Sequence, residues 1–190
     1  MANSTQAFGF RAVGSANGGP YNGQTLRVQV PTTSSEGPLF IGDVVTLSGG
    51  ASVDGYPTVH EAAVAELPFG VVASFDANPD NLSLPYRATS TQRYARVVPV
   101  EGNFFEARFN GSALTNANVG QTTIYVVGAG STATGQSTTA LSATDVGTSV
   151  ADDCRIVAFK DSPDNDLTLA TAVAIVKFNL DALAVNTVGV

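Results

Sequence analysis

The chain contains one histidine, His60, and one cysteine, Cys154, so residue types that often perform acid–base or nucleophilic chemistry are scarce. A serine nucleophile would need a base beside it, and the sequence has no Gly-x-Ser-x-Gly elbow to present one. A zinc site would need more ligands than these two residues supply. Cys154 precedes the apolar run 156–159, which favours a small buried side chain over a reactive thiol. The sequence predicts no catalytic residues and no enzyme.

Two acidic turns are the remaining candidates for a cation site. Asp76, Asn78 and Asp80 place oxygen atoms at positions one, three and five of a calcium loop, but the twelfth position is Arg87 instead of a bidentate glutamate. Asn and Asp bond their own backbone in turns, and we interpret this segment as such a turn. The second cluster, at 161–166, is interpreted in the same way, with weak cation binding left open. We predict no metal and no cofactor.

Charge and composition exclude further classes of partner. Sixteen acidic residues against nine basic ones give a net charge of −7, and the basic residues are scattered along the chain. Nucleic acid is therefore not an expected partner, because phosphate contacts need a basic patch. The glycine pair at 128–130 lacks the third glycine of a dinucleotide fingerprint. No basic start, signal-peptide core or apolar run of about 18 residues is present, so we expect no membrane association and synthesis in the cytoplasm.

Alternating apolar residues define the elements of the chain. The most regular runs are Thr25 to Val30, Val44 to Leu47 and Gly70 to Phe75, each with apolar side chains on one face at a period of two. Segment 58–64 is ambiguous between a strand and a short helix, and we favour a strand. The runs at Val44 and Gly70 are expected in one sheet. Eight or nine strands and almost no helix predict an all-β fold, either a single β-barrel or a jelly-roll-like sandwich.

The first 24 residues differ from the rest, because six glycine or proline residues interrupt any period. Phe8, Phe10 and Tyr21 are large aromatic residues that a solvated tail would not carry. We predict an N-terminal arm over 1–24 that docks onto a partner, followed by an all-β body over 25–190. A first strand packed on the protein's own body is the alternative.

A second candidate interface lies between Leu82 and Arg96, the most basic window of this acidic chain. It contains Tyr86 with Arg87 and Arg93 with Tyr94. Tyrosine and arginine favour interfaces, because both combine a large contact area with hydrogen bonding. An ordinary loop leading into a strand is the alternative. Residues 131–149, rich in Ser, Thr, Gly and Ala, are predicted to form a long exposed loop or a weak hairpin.

Several of these motifs together resemble the head-decoration, or capsid cement, proteins of tailed bacteriophages. The motifs are Phe8-Gly9-Phe10-Arg11, Pro20-Tyr21-Asn22-Gly23, Phe40-Ile41-Gly42-Asp43-Val44-Val45, Asn78-Pro79-Asp80-Asn81-Leu82, Tyr86-Arg87 and Arg93-Tyr94. The resemblance spans residues 8 to about 178. It implies an all-β homotrimer on the outside of the capsid that clamps major capsid protein subunits, often through an extended arm, and it implies no catalytic residues.

From the residues and the resemblance together we expect a structural virion protein located on the outer surface of the capsid. A different virion β protein, such as a tail component or surface binding module, is the alternative. The expected capsid or subunit contacts are Phe8, Phe10, Arg11, Tyr21, Tyr86, Arg87, Arg93 and Tyr94.

Overall fold

The computed structural model describes residues 3–32, 37–64, 66–111, 114–149, 152–179 and 182, and these ranges consist almost entirely of strands and loops. The described strands are β1 (Phe10–Ser15), β2 (Leu26–Val30), β3 (Val44–Ala51), β4 (Pro57–Glu61), β5 (Gly70–Phe75), β6 (Arg93–Pro99), β7 (Asn103–Arg108), β8 (Thr122–Thr123), β9 (Tyr125–Val126), β10 (Ala140–Leu141), β11 (Cys154–Phe159) and β12 (Val173–Phe178). A 3-10 turn at Asn116–Asn118 interrupts them. The prediction of an all-β fold is confirmed.

A closed barrel of five strands lies in the first half of the chain. Its order is β2-β4-β3-β5-β6, in which β2 and β4 run parallel and the other neighbours run antiparallel. The runs at Val44 and Gly70 pair with each other as β3 and β5, as predicted. Residues 58–61 of the ambiguous segment lie in β4, so the preference for a strand is confirmed there, whereas residues 62–64 follow the end of the strand.

Strands of the second half of the chain, together with β1, form two further sheets. One is antiparallel, in the order β1-β7-β12-β11-β8, and the other pairs β9 with β10. Cys154 opens β11 and is completely buried, which confirms the predicted apolar role. Among the described residues, no helix has the length and apolar character that crossing a bilayer requires.

Pairs of adjacent valines join the barrel to the large sheet. Because side chains alternate along a strand, one member of each pair points into the barrel and the other points out of it. The inward members, Val45, Val72 and Val97, belong to a core inside the barrel. The outward members, Val44, Val71 and Val98, belong to a second core with the aromatic residues of the large sheet. The barrel wall is therefore buried on both faces where the two parts meet.

The N-terminal segment lies on the protein's own body. Residues 10–15 form β1, which pairs with β7 at the edge of the large sheet. The Phe10 ring is 2% exposed and packs 5.3 Å from the Phe178 ring and 6.3 Å from the Tyr125 ring, measured between centroids. Residues 10–15 therefore form a first strand on the protein's own body, which is the alternative to an arm. The division into an arm over 1–24 and a body over 25–190 stays a prediction.

The motif Phe8-Gly9-Phe10-Arg11 meets the motif that contains Gly42 where β1 approaches the barrel. The Phe10 amide donates to the Gly42 carbonyl at 2.9 Å. Gly42 has a φ of +94°, and a Cβ there would lie 2.3 Å from the Phe8 carbonyl oxygen. Gly9 has a φ of +66° and is equally crowded, since a Cβ would lie 2.5 Å from the Gly42 oxygen. Only glycine allows this backbone contact, which fixes the N-terminal segment against the barrel.

The serine- and threonine-rich segment differs from its prediction in part. Ser137 and residues 139–142 are buried, and they include strand β10, whereas Thr138 is exposed. The Thr123 hydroxyl donates to the Ser142 carbonyl at 2.7 Å, and the Ser142 hydroxyl donates to Asp145. Hydroxyl side chains can be buried when hydrogen bonds satisfy them, so low hydrophobicity did not mean exposure here. The predicted long exposed loop is therefore wrong for Ser137 and residues 139–142, and the pairing of β10 with β9 is closer to the alternative of a weak hairpin.

Candidate interaction surface

An arginine packed against two tyrosine rings dominates one outer face of the barrel. The guanidinium carbon of Arg27 lies 4.9 Å from the centre of the Tyr56 ring and 4.1 Å from that of Tyr94. Arg27 lies in β2, Tyr56 directly precedes β4 and Tyr94 lies in β6, and the closed barrel brings these strands together. Such cation–π contacts fix the guanidinium plane at a surface site.

Carboxylates complete this face. Cross-strand register places Arg27 directly opposite Arg96, an arrangement that is unfavourable for two like charges. Asp76, just after β5, lies between them: its Oδ2 accepts from Arg27 Nε at 2.9 Å, and its Oδ1 pairs with Arg96 Nε at 3.3 Å. The Tyr94 hydroxyl donates to Asp54, a contact that raises the pKa of Tyr94. We call Arg27, Tyr56, Asp76, Tyr94 and Arg96 the Arg–Tyr face.

The Arg–Tyr face has the chemistry of a protein-binding surface. Its rings and guanidinium groups are held by neighbours within the fold, so little side-chain entropy remains to be lost when a partner binds. Tyrosine and arginine are the residue types enriched at binding hot spots. Leu26 and Val53, which neighbour Arg27 and Asp54 in the chain, are exposed apolar side chains, at 44% and 98%. The arrangement can bury aromatic area and hydrogen-bond to a partner's backbone.

Only part of the predicted basic window contributes to this face. Tyr94 is a member, whereas Arg93 donates from Nη1 to the Leu84 carbonyl at 3.0 Å and holds the preceding loop. Tyr86 stacks on the Phe40 ring at 5.1 Å between centroids. Arg87 is completely buried, with Nη1 donating to the Gly37 carbonyl and Nη2 to the Pro31 carbonyl. Arg87 therefore holds loops together within the protein instead of contacting a partner.

The candidates in the N-terminal segment are not members of the Arg–Tyr face. One of them is buried in the core, and the others lie at the surface. Phe10 is buried in the core and is not available to a partner in this structure. Phe8 lies beneath the Arg11 guanidinium, 4.5 Å from ring centre to guanidinium carbon. The Tyr21 hydroxyl donates to the Gln24 carbonyl at 2.6 Å, and Tyr21 lines a cleft of about 150 Å³ together with Phe8 and Arg11. These three side chains share one surface region.

His60 has two partners that the sequence did not mark. Its Nδ1 lies 3.1 Å from the Ser48 hydroxyl, and its Nε2 lies 3.4 Å from Glu66 Oε2. The order serine, histidine, carboxylate is that of a hydrolytic triad. Ser48 is exposed and the Glu66 side chain is 43% exposed, whereas triad chemistry relies on a water-poor site with oxyanion donors.

Within the described ranges, no group of three or more His, Cys, Asp or Glu could hold a metal ion.

A buried carboxyl group joins the barrel to the segment that follows Gly135. Asp43 is completely buried, and its Oδ2 accepts from the Phe40 amide at 2.6 Å. Burial raises the pKa of Asp43 from 3.8 to about 6, although hydrogen bonds from Ser137, Phe40 and Thr139 lower it. Asp43 is the clearest source of pH-dependent stability in the described fold.

We expect the protein to lose stability as pH rises through about 6. The folded state holds the Asp43 proton more tightly than the unfolded state, so the stabilisation is complete below the unfolded pKa and lost above the folded pKa. The total is about 3 kcal/mol, of which about 1 kcal/mol is lost between pH 5 and pH 8. Urea unfolding of the wild type and Asp43→Asn at both pH values measures this. Equal pH dependence in the two proteins would contradict the assignment.

Comparisons of the chain with protein-family models, with curated proteins and with solved structures give no match. The structural class is therefore described from the fold and the surface alone. The protein is all-β, with a closed five-stranded barrel, a second large sheet and a preorganised Arg–Tyr face.

Proposed function

We propose that this protein is a structural virion protein, a capsid decoration or cement protein that binds the outside of a bacteriophage head. There it stabilises contacts between subunits of the major capsid protein. The observation that carries this proposal is the Arg–Tyr face, a rigid surface with the side-chain chemistry of a protein interface. The resemblance of the sequence motifs to head-decoration proteins supplies the partner and the location.

Other features of the chain support a binding role in an assembly. Only 13% of the residues are charged, about half the usual share, so the surface carries many uncharged polar side chains. A surface of this kind can pack against other proteins with a small cost of removing water from charges. We propose a homotrimer, because closed symmetry lets a small protein repeat one weak contact several times on a shell.

Binding to undecorated shells tests the proposal directly. We expect Tyr94→Ala to weaken shell binding by about tenfold, since the ring contacts Arg27 and its hydroxyl contacts Asp54. Arg155→Ala is the control, because Arg155 is an exposed residue of β11 in the large sheet. Occupancy is measured by co-sedimentation with shells, alongside circular dichroism of each free variant.

Electron microscopy of decorated particles separates this function from its alternative. Density for the protein on the icosahedral shell supports the proposal. Density confined to the tail would indicate the alternative of a tail or surface binding module. Equal shell occupancy for Tyr94→Ala and Arg155→Ala, with native spectra for both, would exclude the Arg–Tyr face as the contact.

A further inference from the structure

A buried glutamate fixes two cations at the side of the large sheet. Register places Arg11 of β1 directly opposite Glu106 of β7, so the two side chains share a face. Arg11 Nη1 lies 3.2 Å from Glu106 Oε1, and Lys160 Nζ lies 3.0 Å from Oε2. The Glu106 side chain is 8% exposed, whereas those of Arg11 and Lys160 are 59% and 47% exposed. The carboxylate therefore holds both cations at the protein surface.

The N-terminal segment supplies a rigid wall beside these cations. The Asn3 amide nitrogen donates to the carbonyls of Asp166 and Ala170 at 2.8 and 3.0 Å, and the Asp166 amide donates back to the Asn3 amide oxygen at 2.7 Å. The Ser4 carbonyl accepts from Arg108 Nη1 at 3.3 Å and from the Thr171 hydroxyl at 3.2 Å. The wall is thus tied to the body by several hydrogen bonds.

The N-terminal segment and the side chains of Arg11 and Lys160 line an open cleft of about 530 Å³. Its lining includes Gln6, Phe8, Thr134 and Gln136 beside the three charged residues. The charged lining residues sum to +1, in a protein of net charge −7. Asp161 follows Lys160 in the chain and lines a neighbouring cleft, of which Lys160 is also a lining residue. We refer to this site as the Arg11–Lys160 cleft.

Most hydrogen-bond donors of the two cations remain available to a ligand. A guanidinium carries five N–H groups and an ammonium three. In the described part of the chain, Arg11 contacts Glu106 through Nη1 and the Phe8 ring through its face, and Lys160 contacts Glu106. A net charge of +1 matches one carboxylate, whereas a doubly charged phosphate would leave the cleft negative. The cleft is therefore best suited to a single carboxylate.

We propose that the Arg11–Lys160 cleft binds a carboxylate side chain from an acidic segment of a partner protein. Arg11 offers the planar donor pair that pairs with a carboxylate, and Lys160 adds a second charge from the other side of Glu106. The identity of the partner as a capsid subunit rests on the proposed function. The ligand chemistry depends only on the cleft.

Peptide binding at low ionic strength tests the ligand chemistry. The probes are a blocked tetraglutamate peptide, a blocked tetraglutamine peptide and free glutarate, titrated into the full chain and followed by NMR. We expect tetraglutamate to bind about tenfold more tightly than tetraglutamine, with shifts at Arg11 and Phe8. Binding of glutarate as tight as that of tetraglutamate would overturn the assignment to a protein segment. Absence of tetraglutamate binding would overturn the cleft itself.

Three variants separate the cleft from general attraction of acidic peptides. Lys160→Gln should weaken tetraglutamate binding about fivefold, and Lys177→Gln, which removes an exposed cation from β12, should change it less than twofold. Glu106→Gln raises the summed lining charge to +2 and should tighten binding several-fold, a result that structural damage would not produce. Equal effects of Lys160→Gln and Lys177→Gln, or weaker binding by Glu106→Gln, would contradict the proposal.

Failure of this inference is distinguishable from failure of the proposed function. Normal decoration of shells by Lys160→Gln, together with an absence of peptide binding to the wild type, would remove the cleft and leave the capsid role intact. Peptide binding by a protein that does not attach to shells would support the cleft and remove the capsid role.

Discussion

A chain lacking residues 1–24 should fail to reach the native fold. The deletion removes β1, which pairs along β7, and it removes the Phe10 ring from the core shared with Phe178 and Tyr125. Loss of a buried phenylalanine side chain alone costs about 3–5 kcal/mol. Because a domain has a total stability of about 5–15 kcal/mol, the further loss of strand pairing should leave little folded protein. Circular dichroism and urea unfolding measure the outcome.

A matched pair of point variants separates the core from the surface part of this segment. Phe10→Ala should lower the free energy of unfolding by about 3–5 kcal/mol, because the side chain is buried. Phe8→Ala should lower it by about 1 kcal/mol or less, since that ring is only partly buried under Arg11.

One result would contradict the prediction for the chain lacking residues 1–24. A cooperative unfolding transition of that truncated protein at the wild-type urea concentration would show that β1 is dispensable.

The sequence predicts the strands of this fold well, because their signal is local. Alternation from Thr25 to Val30 matches the bounds of β2 to within one residue, and alternation from Gly70 to Phe75 matches those of β5. The same local signal cannot show which strands become neighbours. The parallel pairing of β2 with β4 and the crossing of Gly9 with Gly42 depend on contacts between distant parts of the chain. Glycine and aromatic residues in the first 24 positions were therefore interpreted as an arm.

The candidate surface was predictable only in part for the same reason. Tyr94 was identified from its tyrosine- and arginine-rich window, but Arg27, Tyr56 and Asp76 come from three other segments. A composition window cannot show that the closed barrel brings them together. It also cannot distinguish an arginine that reaches the surface from one that is buried, since both have the same local sequence character.

Arg87→Met should be among the most destabilising single substitutions in the protein. The guanidinium donates from Nε to the Thr91 carbonyl at 2.7 Å, from Nη1 to the Gly37 carbonyl at 2.7 Å and from Nη2 to the Pro31 carbonyl at 2.6 Å. Its own backbone pairs with Leu39 in both directions. One side chain thus holds three loop segments beside the barrel, and the residue is 0% exposed.

The expected cost follows from the carbonyl groups that methionine leaves behind. A hydrogen bond to a charged donor contributes about 1.5–3 kcal/mol, and a buried acceptor without a partner costs further free energy. Methionine fills a similar volume but has no donor, so the change isolates hydrogen bonding from packing. We expect a loss of about 4 kcal/mol in the free energy of unfolding, a value below the simple sum because the loops can relax toward water.

Arg96→Met provides the matched control for this substitution. Arg96 makes an ion pair with Asp76, but its side chain is 44% exposed. Exposed ion pairs contribute about 1 kcal/mol or less, so this variant should remain close to the wild type in urea. Because Arg27 stays paired with Asp76, the control also leaves the carboxylate with a partner. Similar losses for the two variants would mean that Arg87 stabilises the fold no more than a surface arginine does, and the role assigned to its three carbonyl contacts would be wrong.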